Sequence, residues 1–218
     1  MAKEKTIICF DMDGTLFTSN EAQVASFNKA FEKNNLEVQT SRDLIAKFGM
    51  PSITIIREFF PNIPERKIQK VAKDKTNFMA RETYALIKPI PGTREALEEL
   101  KEKYYVAVIS NSTHEEIILT LKQAGLSARF FDAIACAQEV EHGKPAPDEI
   151  FKVEKKLKAK AEYMVGDTIY DMQAGKAAGI KTVAVLTGVH DIVKLGEENP
   201  TLIVESVAVL PDVLSGRL

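Results

Sequence analysis

Short apolar runs alternate along this chain with longer stretches in which apolar positions recur at helical spacing. The first run, Thr6-Ile7-Ile8-Cys9-Phe10, is β-branched and uncharged, the pattern of a strand buried on both faces of a parallel sheet. Runs of the same kind recur over 104–109, 131–135, 162–165 and 181–186, and Leu202-Ile203-Val204 reads as a last edge strand. Helical patterns lie between them. One covers 115–124 and stops at Gly125, one follows Pro147 as its first helical residue, and one stops near Gly179. Strands alternating with helices of about ten residues predict crossover units, hence an α/β fold with a doubly wound parallel sheet and helices on both faces.

The rhythm breaks between Phe17 and Pro89. No convincing strand occurs there, and helical spacing is expected over 21–34, 41–48, 53–60 and 64–86. Gly49-Met50-Pro51 and Pro61-Asn62-Ile63-Pro64 punctuate the stretch as turns, and Lys88-Pro89-Ile90-Pro91-Gly92 reads as a stiff return linker. The expected organisation is an α/β core over 1–16 and 89–218, with a helical domain over 17–88 inserted after the first strand. Phe59-Phe60 and the Phe27/Phe31 pair at helical spacing are expected to pack that insertion's core.

Composition narrows the function classes without choosing one. The 218 residues carry 29 Lys and Arg against 31 Asp and Glu, so there is no basic face for nucleic acid and no acidic tail. Positive potential for an anionic ligand must therefore be local. Cys9 and Cys136, both in apolar surroundings, read as small buried hydrophobes in a reducing compartment rather than as a disulfide. No apolar run approaches a membrane span, and Asp11 and Asp13 interrupt the apolar stretch behind Lys3 and Lys5, so neither a signal peptide nor a membrane partner is expected. A cytoplasmic protein fits this usage best.

The chemistry is concentrated at the carboxyl ends of the expected strands, where ligands of open α/β sheets bind. The first strand ends in Asp11-Met12-Asp13-Gly14-Thr15. Residues two apart beyond a strand need a bend to face one crevice, and Gly14 supplies a turn. The second site-bearing strand ends in Ser110-Asn111, neutral donors ahead of a helix with Thr113 as N-cap and Glu116 completing a capping box. Lys144 stands in the Pro-stiffened segment Gly143-Lys144-Pro145-Ala146-Pro147, a fixed point charge suited to phosphate. Gly166-Asp167 closes a further strand, with Asp171 in the first turn of the next helix. Taken singly, each is an ordinary turn or cap residue. Taken together, Asp11, Asp13, Asp167 and Asp171 offer oxygen ligands to a hard cation such as Mg²⁺, and Ser110, Asn111 and Lys144 offer donors and charge to phosphate oxygens.

With these four motifs in this order, the chain resembles the haloacid dehalogenase-like hydrolases, and its layout resembles the phosphoglycolate phosphatase-like members, whose small α-helical cap follows the first motif. The resemblance implies a Rossmann-like core and a Mg²⁺-dependent phosphatase acting on a small phosphorylated metabolite. It implies Asp11 as nucleophile forming an aspartyl-phosphate, and Asp13 as general acid and then base. It further implies metal ligands from Asp11, the Asp13 carbonyl and Asp167, with Asp171 in support. Asp13 separates the chain from dehalogenases, which lack this second aspartate. A β-phosphoglucomutase-like transferase and a pyrophosphatase are the alternatives, together with a non-catalytic binder of phosphometabolites. The mutases carry a histidine shortly after the first motif, and Phe17-Thr18-Ser19-Asn20-Glu21-Ala22 has none. Lys47-Phe48-Gly49-Met50 is the expected specificity loop of the cap, with Arg57 nearby, and Lys47 stands on the wrong side of Gly49 for a phosphonatase Schiff base.

Overall fold

The computed structural model describes residues 5–217; Lys3, ahead of the first apolar run, lies outside them. Strand β1 (Ile7–Phe10) leads into a two-residue strand β2 (Phe17–Thr18) and four helices, α1 (Asn20–Lys33), α2 (Ser41–Ile45), α3 (Ser52–Phe59) and α4 (Glu65–Phe78). The chain returns through a π-turn over Met79–Thr83, a 3₁₀ turn over Tyr84–Leu86 and strand β3 (Lys88–Pro89). Then come α5 (Thr93–Lys103), β4 (Tyr105–Ser110), α6 (His114–Gln123), β5 (Ala133–Cys136), α7 (Asp148–Leu157) and β6 (Ala161–Gly166). Helix α8 (Ile169–Ala177), β7 (Lys181–Val185), α9 (Ile192–Glu197), β8 (Leu202–Val204) and α10 (Leu210–Ser215) complete it.

The main sheet runs β5-β4-β1-β6-β7-β8, with every pairing parallel. Period-two alternation explains how such uniformly apolar strands fill two layers. Ile8, Phe10, Val106, Val108 and Val165 point to one face, against Leu97 and Leu100 of α5 and Ile117 and Leu121 of α6. Ile7, Cys9, Ala107, Ile109 and Met164 point to the other, against Ile150 and Val153 of α7 and Ala174 of α8. The α/β, doubly wound expectation matches this sheet. Chain order switches direction at β1, which lies between β4 and β6, so their three carboxyl ends share one crevice.

Three details differ from the sequence reading. The 17–89 stretch is not strand-free, because Phe17–Thr18 pairs antiparallel with Lys88–Pro89 and ties the two connections to the helices together. The long helix expected over 64–86 stops at Phe78 and changes pitch twice before Ile87. Pro147 caps α7 rather than starting it. The helices between β2 and β3 hold an apolar cluster of their own, built on Phe27, Phe31, Ile55, Ile56 and Val71. Phe17, Ala22, Met79 and Ile87, where the helices join the sheet, pack instead with the sheet's cluster. Cys9 and Cys136 are buried free thiols. Among the described residues no helix is long and apolar enough to cross a membrane.

Candidate active site

Asp11 follows the last residue of β1, and its backbone N–H donates to the Val165 carbonyl at 2.8 Å, continuing the ladder to β6. The chain then turns through Gly14, whose φ of +80° suits glycine. A Cβ there would also stand 2.6 Å from an Asp167 oxygen, so the turn needs glycine twice over. The turn brings Asp11 and Asp13 into the same pocket. Asp13 is held by three neutral donors: Ser19 Oγ, Gln23 Nε2 at 3.2 Å and Ser112 Oγ at 3.5 Å.

Lys144, 4% exposed, is the charge at the centre. Its Nζ donates to Asp11 Oδ1, to Asp171 Oδ1 at 2.7 Å and more weakly to the Ile109 carbonyl at 3.5 Å. Burial alone would lower its pKa, but Asp11 and Asp171 outweigh that and raise it. Asp171 is fixed from its other side, because its Oδ2 accepts from Thr168 N–H at 3.0 Å and Thr168 Oγ1 at 2.7 Å. That capping box starts α8 and aims Asp171 at Lys144. Asp167 accepts from Thr15 Oγ1 at 3.2 Å and from Val189 N–H at 2.8 Å.

Carboxylate oxygens of Asp11, Asp167 and Asp171 all lie within 4.8 Å of one another, in buried side chains. Burial, opposed by Lys144 and reinforced by Asp171, raises Asp11 well above the usual carboxylate range. Burial, with Asp171 next, pushes Asp167 up to about 7. With all three ionised, the carboxylates facing one ammonium leave an excess of two negative charges, which a divalent cation with hard oxygen preference would balance. The Asp13 carboxylate is not part of this cluster.

Two expectations are corrected. Asn111 does not offer free donors to a phosphoryl group: its amide nitrogen is engaged by the Gly49 carbonyl at 2.7 Å and the Lys144 carbonyl at 2.9 Å. It fastens the loop after α2 to the lysine-bearing loop. Lys47 does not line the pocket; its ammonium pairs with Glu58 at 2.5 Å and lies over the Phe59 ring, while Arg57 pairs with Glu65. Electrostatic partners on α3 and at the start of α4 turn both away. Phe48, Gly49 and Met50 do line the pocket, with Ser110. Gly49 has φ of +97°, and a Cβ there would press on the Tyr170 ring at 2.7 Å, so the loop packs tightly onto the start of α8.

The sequence reading missed Ser19, Gln23, Ser112, Thr168 and Lys75, all of which line the pocket. Ser19 and Gln23 had a signal, since polar residues four apart share one helix face. Thr168 had one too, as the head of a Thr-x-x-Asp box. Glu116 was expected to complete a box on Thr113. Thr113 does cap α6, accepting from Glu116 N–H at 3.3 Å, but the Glu116 carboxylate turns instead to Lys75 and Thr76 of α4.

Beneath the site, Glu149 of α7 is fully buried and neither carboxylate oxygen meets a well-formed hydrogen bond. Burial, opposed by Lys144, pushes it up to about 7 from 4.5. Its neutral form thus contributes stability that is full below pH 4.5 and is lost as pH rises through 7, about 3 kcal/mol at most. Glu149→Gln is expected to raise Tm at pH 8.5 by about 5–10 °C and to leave it nearly unchanged at pH 4.5. Thermal melts at the two pH values check this; equal gains at both would contradict the burial argument.

Comparison with known proteins agrees with the fold and with the family that the motifs resemble. The profile described as "Haloacid dehalogenase-like hydrolase" matches residues 8–185. Pyrophosphatase PpaX of Halalkalibacterium halodurans is 31% identical over 215 residues, 97% of each chain. The Oceanobacillus iheyensis protein of the same name is 30% identical over 203 residues, 92% of each. A solved hydrolase from Pseudomonas syringae superposes with a TM-score of 0.86 at 25% identity, covering 98% of this chain and 99% of that one. The chain belongs to the haloacid dehalogenase-like hydrolases.

Proposed function

We propose that the protein is a Mg²⁺-dependent phosphatase that hydrolyses a small phosphorylated compound through an aspartyl-phosphate on Asp11. The observation that carries this is the buried cluster of Asp11, Asp167 and Asp171 around Lys144, opening onto a pocket that also holds Asp13. A carboxylate attacks a phosphoryl group only if their mutual repulsion is neutralised. Lys144 supplies part of that charge, and Asp11, Asp167 and the Asp13 carbonyl, with Asp171 in support, would hold Mg²⁺. When bound, Mg²⁺ would polarise the phosphoryl oxygens and balance the developing charge.

Asp11 attacks phosphorus while the bond to the leaving oxygen breaks, and Asp13 gives that oxygen its proton. In the second half Asp13 takes a proton from water, which attacks the phosphorus and releases Asp11. Ser19, Gln23 and Ser112 hold Asp13 in place for both transfers. Residues 17–88 act as a cap that closes over the crevice, with β2 and β3 as its hinge and Phe48-Gly49-Met50 as the loop that meets the substrate. The cavity is about 50 Å³ and one ordered water needs roughly 10–15 Å³ on a comparable scale, so the ligand is compact. The PpaX relatives support including pyrophosphate among the substrates tested.

The test is release of phosphate from p-nitrophenyl phosphate and from a panel of phosphoglycolate, sugar phosphates, nucleotides and pyrophosphate. Chelation is expected to remove activity and added Mg²⁺ to restore it. Turnover undiminished by chelator would remove the metal from this reading, and no turnover on any phosphoryl compound would sink it. A β-phosphoglucomutase-like reaction would convert glucose 1-phosphate to glucose 6-phosphate with little free phosphate.

A further inference from the structure

We propose that Lys75 receives a second anionic group of the substrate, so that the pocket selects compact molecules with a carboxylate or second phosphoryl beside the phosphoryl that is transferred. This rests on the hydrolase reading above and narrows its substrate class. Lys75 is on α4, is 1% exposed, and lines the pocket; Lys144 is the other lysine there, and no arginine lines it among the described residues. Lys144 already serves Asp11 and Asp171, so a second anion has Lys75 as its cation.

The ion pair that Lys75 makes is incompletely satisfied. Its Nζ is 3.0 Å from Glu116 Oε1 and stands 5.2 Å from the centre of the Phe27 ring. Thr76 Oγ1 also donates to Glu116 Oε1, at 2.7 Å, while Glu116 Oε2 is buried without a hydrogen-bond partner. A buried pair is strongly favourable only when its remaining donors and acceptors are satisfied. Here one carboxylate oxygen takes two donors, the other takes none, and the ammonium keeps donors beyond its single carboxylate contact. An anion in the pocket would complete the ammonium's hydrogen bonding.

Helix α1 sets the spacing. Gln23 reaches Asp13, and Phe27, under Lys75, is one turn further along the same face. One turn advances about 5.4 Å. Lys75, beside Phe27, and Asp13, beside Gln23, therefore line one pocket next to successive turns of α1. Phe27, Phe48, Met50 and Ile55 line the pocket alongside the polar Asn20 and Ser52, so Lys75 is the full charge that the helices between β2 and β3 bring to it.

The experiment compares pyrophosphate, phosphoglycolate and acetyl phosphate, the last being compact but carrying no second anion. The variants are Glu116→Gln and the double variant Lys75→Met/Glu116→Gln, which leaves no unpaired charge and is checked for folding by its melting curve. The double variant is expected to lose about 100-fold in kcat/KM on a two-anion substrate, chiefly through KM, and less than about threefold on acetyl phosphate. Glu116→Gln, which keeps the lysine, is expected to stay within about threefold of wild type on all three. The larger loss, on pyrophosphate or on phosphoglycolate, identifies the second group as phosphoryl or carboxylate. Equal losses on all three substrates, or none, overturn the proposal. If the wild-type protein turns over none of them and no other compound of the panel above, the hydrolase reading fails separately. Calorimetric titration of the Asp11→Asn protein, with and without the double substitution, then decides the subsite: a Lys75-dependent preference for the two-anion ligands over inorganic phosphate supports it, and its absence overturns it.

Discussion

Asp11→Asn is expected to abolish turnover, by at least about 10⁴-fold in kcat, while leaving the protein folded. The two side chains are nearly isosteric, so packing around β1 is preserved, but an amide is not a nucleophile toward phosphorus. Burial holds the Asp11 carboxyl well above its ordinary range, so the fold tolerates a neutral group at this position. The loss of the Lys144 contact opposes that gain, and the net change in Tm is expected to be within about 5 °C. Acid-quench trapping of labelled phosphate on the wild-type protein, and not on the variant, is the measurement that ties the loss to a covalent step. Trapping on both would move the nucleophile elsewhere.

The fold was readable because its signals are local. Each parallel strand is an apolar run, and the residues just past Phe10, Ile109 and Val165 stand where a switch-point crevice must lie. The candidate site was readable where chemistry and strand ends coincide, as for Asp11, Asp13 and Asp167. It was obscure where side chains arrive from distant segments. Lys75 comes from a helix 64 residues after Asp11, and nothing in its own window, Asp74-Lys75-Thr76, separates it from a solvated surface lysine. Asn111 shows the converse: its type and position fit a phosphate donor, yet two backbone carbonyls from other loops claim its amide. Glu116 fits a local capping rule, but a buried ammonium across the helical interface attracts it more strongly than a backbone N–H does. Local rules assign the residue types, and the tertiary electrostatics decide which partner each one takes.

Lys144→Met is expected to affect both activity and stability, and the two losses should respond differently to a second substitution. The ammonium bonds Asp11 and Asp171 within a buried site, so its removal leaves carboxylates uncompensated. Breaking a buried pair by removing one partner costs about 3–5 kcal/mol. Glu149 lies in the same field, and Lys144 is what holds its pKa down against burial. Without the lysine, Glu149 is harder still to ionise, so the variant's deficit relative to wild type should grow as pH rises through 7. Adding Glu149→Gln to Lys144→Met should therefore recover part of the lost Tm at pH 8.5. It should recover none of the lost turnover, expected to be about 10³-fold, because that loss comes from the charge missing beside the carboxylate proposed to attack phosphorus. Melting curves and kcat measured on the single and double variants separate the two roles. If Glu149→Gln restored turnover along with Tm, Lys144 would be acting through the packing of α7 rather than through its charge at Asp11.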